Sequence, residues 1–174
     1  LPTISRRQRQ MCIRDRFGKH DVLTKLYNRS FFTEELNRLE RSILRPVSCI
    51  FLDMNGLKEV NDQLGHDVGD GLLRRVGSVL TQAIQNTTYT ASRIGGDEFV
   101  ILMPGTDETA VLVMLQTIQE LFNIDNQYYS SQPISMSFGS ATTLENESIE
   151  AMLKRADQQM YQRKKHFYQD KEAS

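Results

Sequence analysis

The stretch that most restricts the fold runs from Tyr89 to Gly105. Tyr89-Thr90-Ala91-Ser92-Arg93-Ile94 is β-branched and aromatic, and Phe99-Val100-Ile101-Leu102-Met103 is a short apolar run closed by Pro104-Gly105. Both spans read as strands, the second a buried one. Gly95-Gly96 between them reads as the turn of a hairpin, with glycine supplying the positive φ of a tight connection. A hairpin makes at least part of the sheet antiparallel. A plain hairpin, however, has no need of Asp97 and Glu98 at the exit of its turn. Adjacent strand residues point to opposite faces, so the two acids are expected to take different roles. Taken alone, the pair fits an ordinary solvated turn. The remainder of the chain decides against that.

The chain's 174 residues suffice for one domain with a substantial core, and 39% hydrophobic with 25% charged residues is ordinary globular composition. A net charge of −1 argues against a protein built mainly to grip nucleic-acid backbone. Cys12 sits in a polar leader and Cys49 in an apolar run, with no Cys-x-x-Cys pair. Neither disulfide nor zinc is supported, and a reducing cytoplasm fits best. No apolar run is long enough to span a bilayer, and no signal-peptide pattern is present.

Residues 1–19 are rich in Arg and Gln and are set aside as a leader: a helical lead-in, a flexible arm or a non-native remnant. Asp21 to Arg29 is a turn-like segment opening a helix. Ser30 is its expected cap, and Phe32, Leu36, Leu39 and Ile43 its apolar face. Val47 to Leu52 is a strand ending at Asp53, at the rim of the sheet. Asn55-Gly56 turns the chain into a short helix with Leu57, Val60 and Leu64 inward. Gly65 to Gly71 reads as a glycine-rich link, followed by a helix burying Leu72, Leu73, Val76, Val79, Leu80 and Ile84. After the hairpin come a helix from about Asp107 to Phe122, a strand at Ile134–Gly139 and a last helix from about Ser148. The expected fold is α+β, a mainly antiparallel central sheet flanked by helices. Asp53 and the hairpin acids then meet at one rim. Carboxylates gathered there repel one another, and a divalent cation relieves them. Hard oxygen ligands select Mg²⁺ or Mn²⁺, a layout suited to attack on a nucleotide phosphate.

Gly95-Gly96-Asp97-Glu98-Phe99 matches the signature of the GGDEF family, the diguanylate cyclases, which this chain therefore resembles. Supporting motifs stand in order: Asp21 to Arg29, Phe51 to Asp62, Gly65-His66-Asp67-Val68-Gly69-Asp70, Ile134 to Gly139 and Arg155 to Tyr161. The likeness covers about residues 20 to 167; it implies a domain over 20–170 with 171–174 as a tail, and a fold similar to nucleotidyl cyclases and polymerase palms. It implies condensation of two GTP to cyclic di-GMP with release of pyrophosphate, across a transient antiparallel homodimer driven by an upstream sensor domain. The implied metal ligands are Asp53, the Met54 carbonyl, Asp97 and Glu98, holding Mg²⁺ or Mn²⁺. Asp97 and Glu98 are the implied catalytic acids, with Lys58 neutralising phosphate charge. The implied substrate contacts are Asn61, His66, Asp70, Arg93 and Lys164. Asp70 as a carboxylate accepts from guanine N1–H and its amine, so GTP is expected over ATP.

Three positions depart from the family pattern. Asn55 replaces a second aspartate of the metal strand. Tyr168 stands where an arginine is expected four residues after Lys164, implying looser triphosphate binding. Asn86-Thr87-Thr88-Tyr89 replaces the Arg-x-x-Asp of the product-inhibition site, so tight feedback inhibition there is not expected. The alternative to an active enzyme is a catalytically silent module that binds GTP or a partner protein as a regulator.

Overall fold

Every residue of β1 (Val47–Met54) is buried, which requires cover on both faces of the strand. The structure, a computed structural model, describes residues 18–174. It supplies that cover with five helices on a four-stranded sheet: α1 (Arg29–Arg41), α2 (Leu57–Leu64), α3 (His66–Ala83), α4 (Glu108–Tyr128) and α5 (Ile149–Glu172). The other strands are β2 (Thr90–Arg93), β3 (Glu98–Pro104) and β4 (Met136–Thr142). Their order is β2-β3-β1-β4, and every pairing is antiparallel. The α+β reading holds. Residues 1–17 of the leader lie outside the described residues, while Gly18 O and Lys19 O accept hydrogen bonds from Asn28.

Strand alternation sorts β1 into two cores. Ile50, Leu52 and Met54 pack with Leu72, Val76 and Leu80 of α3 and with Val111, Ile118 and Phe122 of α4. Val47, Cys49 and Phe51 pack with Phe32 and Leu39 of α1 and with Ile149, Met152, Ala156 and Met160 of α5. Removing one such side chain, as in Leu52→Ala, costs about 2–5 kcal/mol. The contact of α5 with the sheet depends on a missing side chain. A Cβ on Gly139 of β4 would lie 2.0 Å from Ala156 O and 2.5 Å from Met160 N. Only glycine admits the helix so closely, and that approach brings Lys164, one turn beyond Met160, to the end of β1.

Several local expectations give way to tertiary causes. The cap of α1 is Asn28, whose side chain accepts from Phe31 N, and Ser30 lies inside the helix. Ile43 falls beyond the helix end and is fully exposed. Leu64 ends α2 exposed, while Leu57 and Val60 do pack on the core. The link expected over Gly65–Gly71 is a single residue, Gly65, because α3 begins at His66. Gly69 serves close packing instead of a turn: a Cβ there would stand 1.8 Å from Asn61 Oδ1 on α2. Gly95 and Gly96 are likewise not left-handed, since positive φ among glycines is confined to Gly56, Gly65 and Gly105. The connection from Arg93 to Glu98 spans four residues and closes through Ile94 N to Glu98 O at 3.0 Å, so it needs no primed two-residue turn.

Candidate active site

Register assembles the acidic rim. Asp53 pairs with Glu98 across β1–β3 and with Ser137 across β1–β4, and residues facing each other in a ladder share a face. Met54 N donates to Asp97 O at 2.9 Å, extending the ladder by one bond and holding Asp97 beside the strand end. Asp97 precedes β3 and sits in the bend, so strict alternation does not separate it from Glu98. The two acids keep different neighbours: Asp97 lies by Lys164, and Glu98 faces Asp53 in the ladder.

Into this rim α5 delivers one cation. Lys164 Nζ lies 2.7 Å from Asp53 Oδ1, 3.5 Å from Asp97 Oδ2 and 3.4 Å from the Met54 carbonyl oxygen. Asp53 Oδ1 is wholly buried, with the Lys164 ammonium as its charged neighbour. Burial pushes the Asp53 carboxyl up to about 6; Lys164 opposes the rise and the Asp97 charge adds to it. Burial also raises Glu98, helped by repulsion from Asp157 and Asp97. For Lys164 burial works downward, yet Asp53 and Asp97 outweigh it and hold the ammonium above its ordinary value. Asp53 and Glu98 are thus both held above the ordinary carboxylate range.

The remaining predicted residues divide. Lys58 is exposed on α2 and has no ion pair among the described residues. His66 is exposed at the first residue of α3. Asp70 borders a cleft of about 620 Å³ formed by Asp21–Lys25 with Arg74 and Ser78. Asn61 turns its Oδ1 into the α2–α3 contact, buried and without a hydrogen-bond partner among the described residues. Arg93 is engaged internally: it donates to Gly95 O and Gly96 O, at 2.8 Å in the shortest bond, and pairs with Asp21 at 3.3 Å. Burial raises Asp21, but the Thr24 hydroxyl and amide and then Arg93 outweigh it, leaving the carboxyl below its usual range. Arg93 therefore ties the glycine bend to the opening segment.

Two residues outside the expected set also position the rim. Asn55, the first departure, donates to Ser135 Oγ at 3.1 Å and accepts from Ser137 Oγ at 2.9 Å, fastening the β1–α2 turn to β4. Tyr168, the second, accepts through its hydroxyl from Gly56 N at 3.1 Å. Lys164 and Tyr168 are four apart on one helix, so they reach the same turn together. The third departure, Asn86–Tyr89, is a local turn with Asn86 at φ 63° and Thr87 Oγ1 bonded to Ile84 O.

The donors at the rim fit a hard divalent cation: two carboxylates and a carbonyl already share one positive charge, and Mg²⁺ is commonly held by one or two carboxylates with substrate phosphates completing its shell. Among the described residues, no three His, Cys, Asp or Glu side chains are gathered closely enough to hold a metal by themselves.

The fold and rim define an α+β domain with acidic side chains gathered at a hairpin. The family described as "Diguanylate cyclase, GGDEF domain" matches residues 18–169, and the chain belongs to that family. It is 34% identical over 159 residues to the response regulator PleD of Caulobacter vibrioides, covering 83% of this chain and 33% of that protein. It is 34% identical over 147 residues to the diguanylate cyclase DgcS of Shewanella oneidensis, covering 83% of this chain and 49% of that protein. The coiled coil and GGDEF domain of DgcB from Caulobacter crescentus, solved in complex with c-di-GMP, superimposes with a TM-score of 0.76 at 27% identity, covering 90% of this chain and 85% of that one. The chain thus spans a third to a half of the length of these two relatives. Among the described residues, no helix is long and apolar enough to cross a membrane.

Proposed function

We propose that this domain is a diguanylate cyclase: it condenses two GTP into cyclic di-GMP, each 3′-oxygen bonding to the α-phosphorus of the other GTP as pyrophosphate leaves. The observation that carries the reading is the convergence of Asp53, Asp97 and the Met54 carbonyl on a single cation, beside an intact Gly95–Phe99 signature. Asp53, Asp97 and the Met54 carbonyl would hold Mg²⁺ or Mn²⁺, with Glu98 next to them. Bound there, the metal supplies charge for the entering and leaving oxygens.

The chain's own groups do the rest. Glu98, raised by burial and neighbouring acids, and Asp97 stand where the 3′-hydroxyl proton is taken up. Lys58, exposed and unpaired, meets phosphate charge, and Lys164 meets the triphosphate. Asp70 accepts from guanine at the cleft it borders with Asp21–Lys25. The buried Oδ1 of Asn61 leaves its Nδ2 as the group that donates to the base. Arg93 keeps the glycine bend in shape. One chain holds one GTP, so two copies meet as a transient antiparallel homodimer, where proximity supplies much of the rate. An upstream sensor that controls dimerisation and a cytoplasmic location fit the same reading.

The test incubates concentrated protein with GTP and Mg²⁺ and separates the nucleotides by chromatography, beside Asp97→Ala. Cyclic di-GMP from the parent alone is the expected result. No product even with a dimerising coiled coil fused ahead of the domain would leave a silent, GTP- or partner-binding regulator in its place.

A further inference from the structure

Three of the four groups read as metal ligands, Asp53, Asp97 and the Met54 carbonyl, are touched by Lys164, at 2.7, 3.5 and 3.4 Å. An ammonium and a metal ion cannot both occupy that position. The backbone that carries Lys164 is held in place, while its four-carbon stem can swing. Its helix is pressed onto β4 at Gly139, and one turn beyond, the Tyr168 hydroxyl is bonded to Gly56 N. The buried Asp53 needs a counter-charge in the absence of metal, since an unpaired buried carboxylate is costly. Among the described residues, Lys164 is the only cation paired with either Asp53 or Asp97.

We propose that Lys164 is a resident counter-ion of the metal cradle: Lys164 and a divalent cation exclude each other from Asp53 and Asp97, and the expelled ammonium becomes a ligand for the incoming triphosphate. The inference rests on the metal site of the proposed function. Its consequence is an order of events. A cation arriving alone must break an ion pair and leave the ammonium without a partner. A cation arriving with a nucleotide exchanges one anionic partner of Lys164 for another. Metal and nucleotide therefore strengthen each other, and by linkage the effect is equal in both directions. A merely structural ion pair predicts otherwise: removing Lys164 would weaken the fold and leave metal affinity where it was.

The experiment titrates the full chain with Mn²⁺ alone and follows the loss of free-ion EPR signal, for the parent, Lys164→Met and Asp97→Ala. Without nucleotide, Lys164→Met should bind Mn²⁺ at least about tenfold more tightly than the parent, within the usual span of coupling between sites. A non-condensing GTP analogue should tighten Mn²⁺ binding to the parent and do so far less in Lys164→Met. Equal Mn²⁺ affinity in parent and Lys164→Met, or none in Lys164→Met, with Asp97→Ala impaired where binding occurs, overturns the exclusion and leaves the metal reading standing. Indistinguishable binding by all three proteins overturns the metal reading itself. A second measurement needs no variant at position 164. Acylation of Lys164 in the parent, read by mass spectrometry, should rise when Mn²⁺ saturates the protein, and unchanged labelling at saturation contradicts the proposal.

Discussion

The two ends of β1 carry charge in opposite ways. At the end where the strand begins, Arg155 grips both oxygens of Glu147 and the Thr142 carbonyl, with bonds of 2.6–2.9 Å. Glu40 accepts from Ile149 N at 2.7 Å, and Arg45 donates to the carbonyls of Leu39, Ser42 and Leu44. The hydrogen bond from Arg155 holds Glu147 below the ordinary carboxylate range. At the other end, Asp53 and Glu98 are held above it, and one ammonium serves two carboxylates. The first end also borders the more spacious cavity, about 740 Å³ against about 620 Å³ beside Asp70. Volume is thus a poor guide to the chemistry here. Charges that have found their partners build structure, whereas charges left short of partners mark a site.

Substitutions at the two ends should separate along that line. The largest effect is expected at the short-changed end. Asp97→Ala should lower cyclic di-GMP formation by about a hundredfold or more. Its thermal midpoint in calorimetry should equal or exceed the parent's, because one of the repelling acids is gone. Gly139→Ala should cost about 2–3 kcal/mol in urea unfolding, since the new Cβ must push α5 off β4 and carry Lys164 with it. Arg155→Ala, at the satisfied end, should cost only about 1 kcal/mol because the pair is partly exposed, and should leave turnover unchanged. A large loss of activity there would break the comparison.

The smallest effect is a pH dependence. Asp53 is raised from 3.8 to about 6, so the folded state binds its proton more tightly than the unfolded chain. Its contribution to stability is full below about pH 4 and is lost as pH rises through 6. With EDTA present, the stability of Asp53→Asn relative to the parent should therefore increase between pH 4 and 7. A flat difference would remove the asymmetry between the two ends of β1.

Much of this was legible in the chain alone, because it depended on period and position. The apolar run from Val47 and the acid closing it named a central strand with a rim carboxylate, and the hairpin named the partner that brings Asp97 and Glu98 to that rim. What stayed hidden depended on distant contacts. Glycines at 65–71 looked like a link because sequence does not tell a glycine needed for a turn from Gly69, needed so that Asn61 can lie against α3. Arg93 looked free for substrate, yet its guanidinium closes onto Asp21, far back in the chain. Tyr168 looked like a mere loss of arginine; its bond to Gly56, 112 residues away, appears only once α5 is docked on the sheet. The placement of Lys164 between two acids needed the same docking.

The most direct test is a crystal structure grown with Mn²⁺ and a non-condensing GTP analogue, with anomalous data to locate the metal. The account predicts Mn²⁺ bound to Asp53, Asp97 and the Met54 carbonyl at about 2 Å, with Lys164 moved onto triphosphate oxygens. Manganese bound elsewhere, or Lys164 still seated between Asp53 and Asp97, would contradict it.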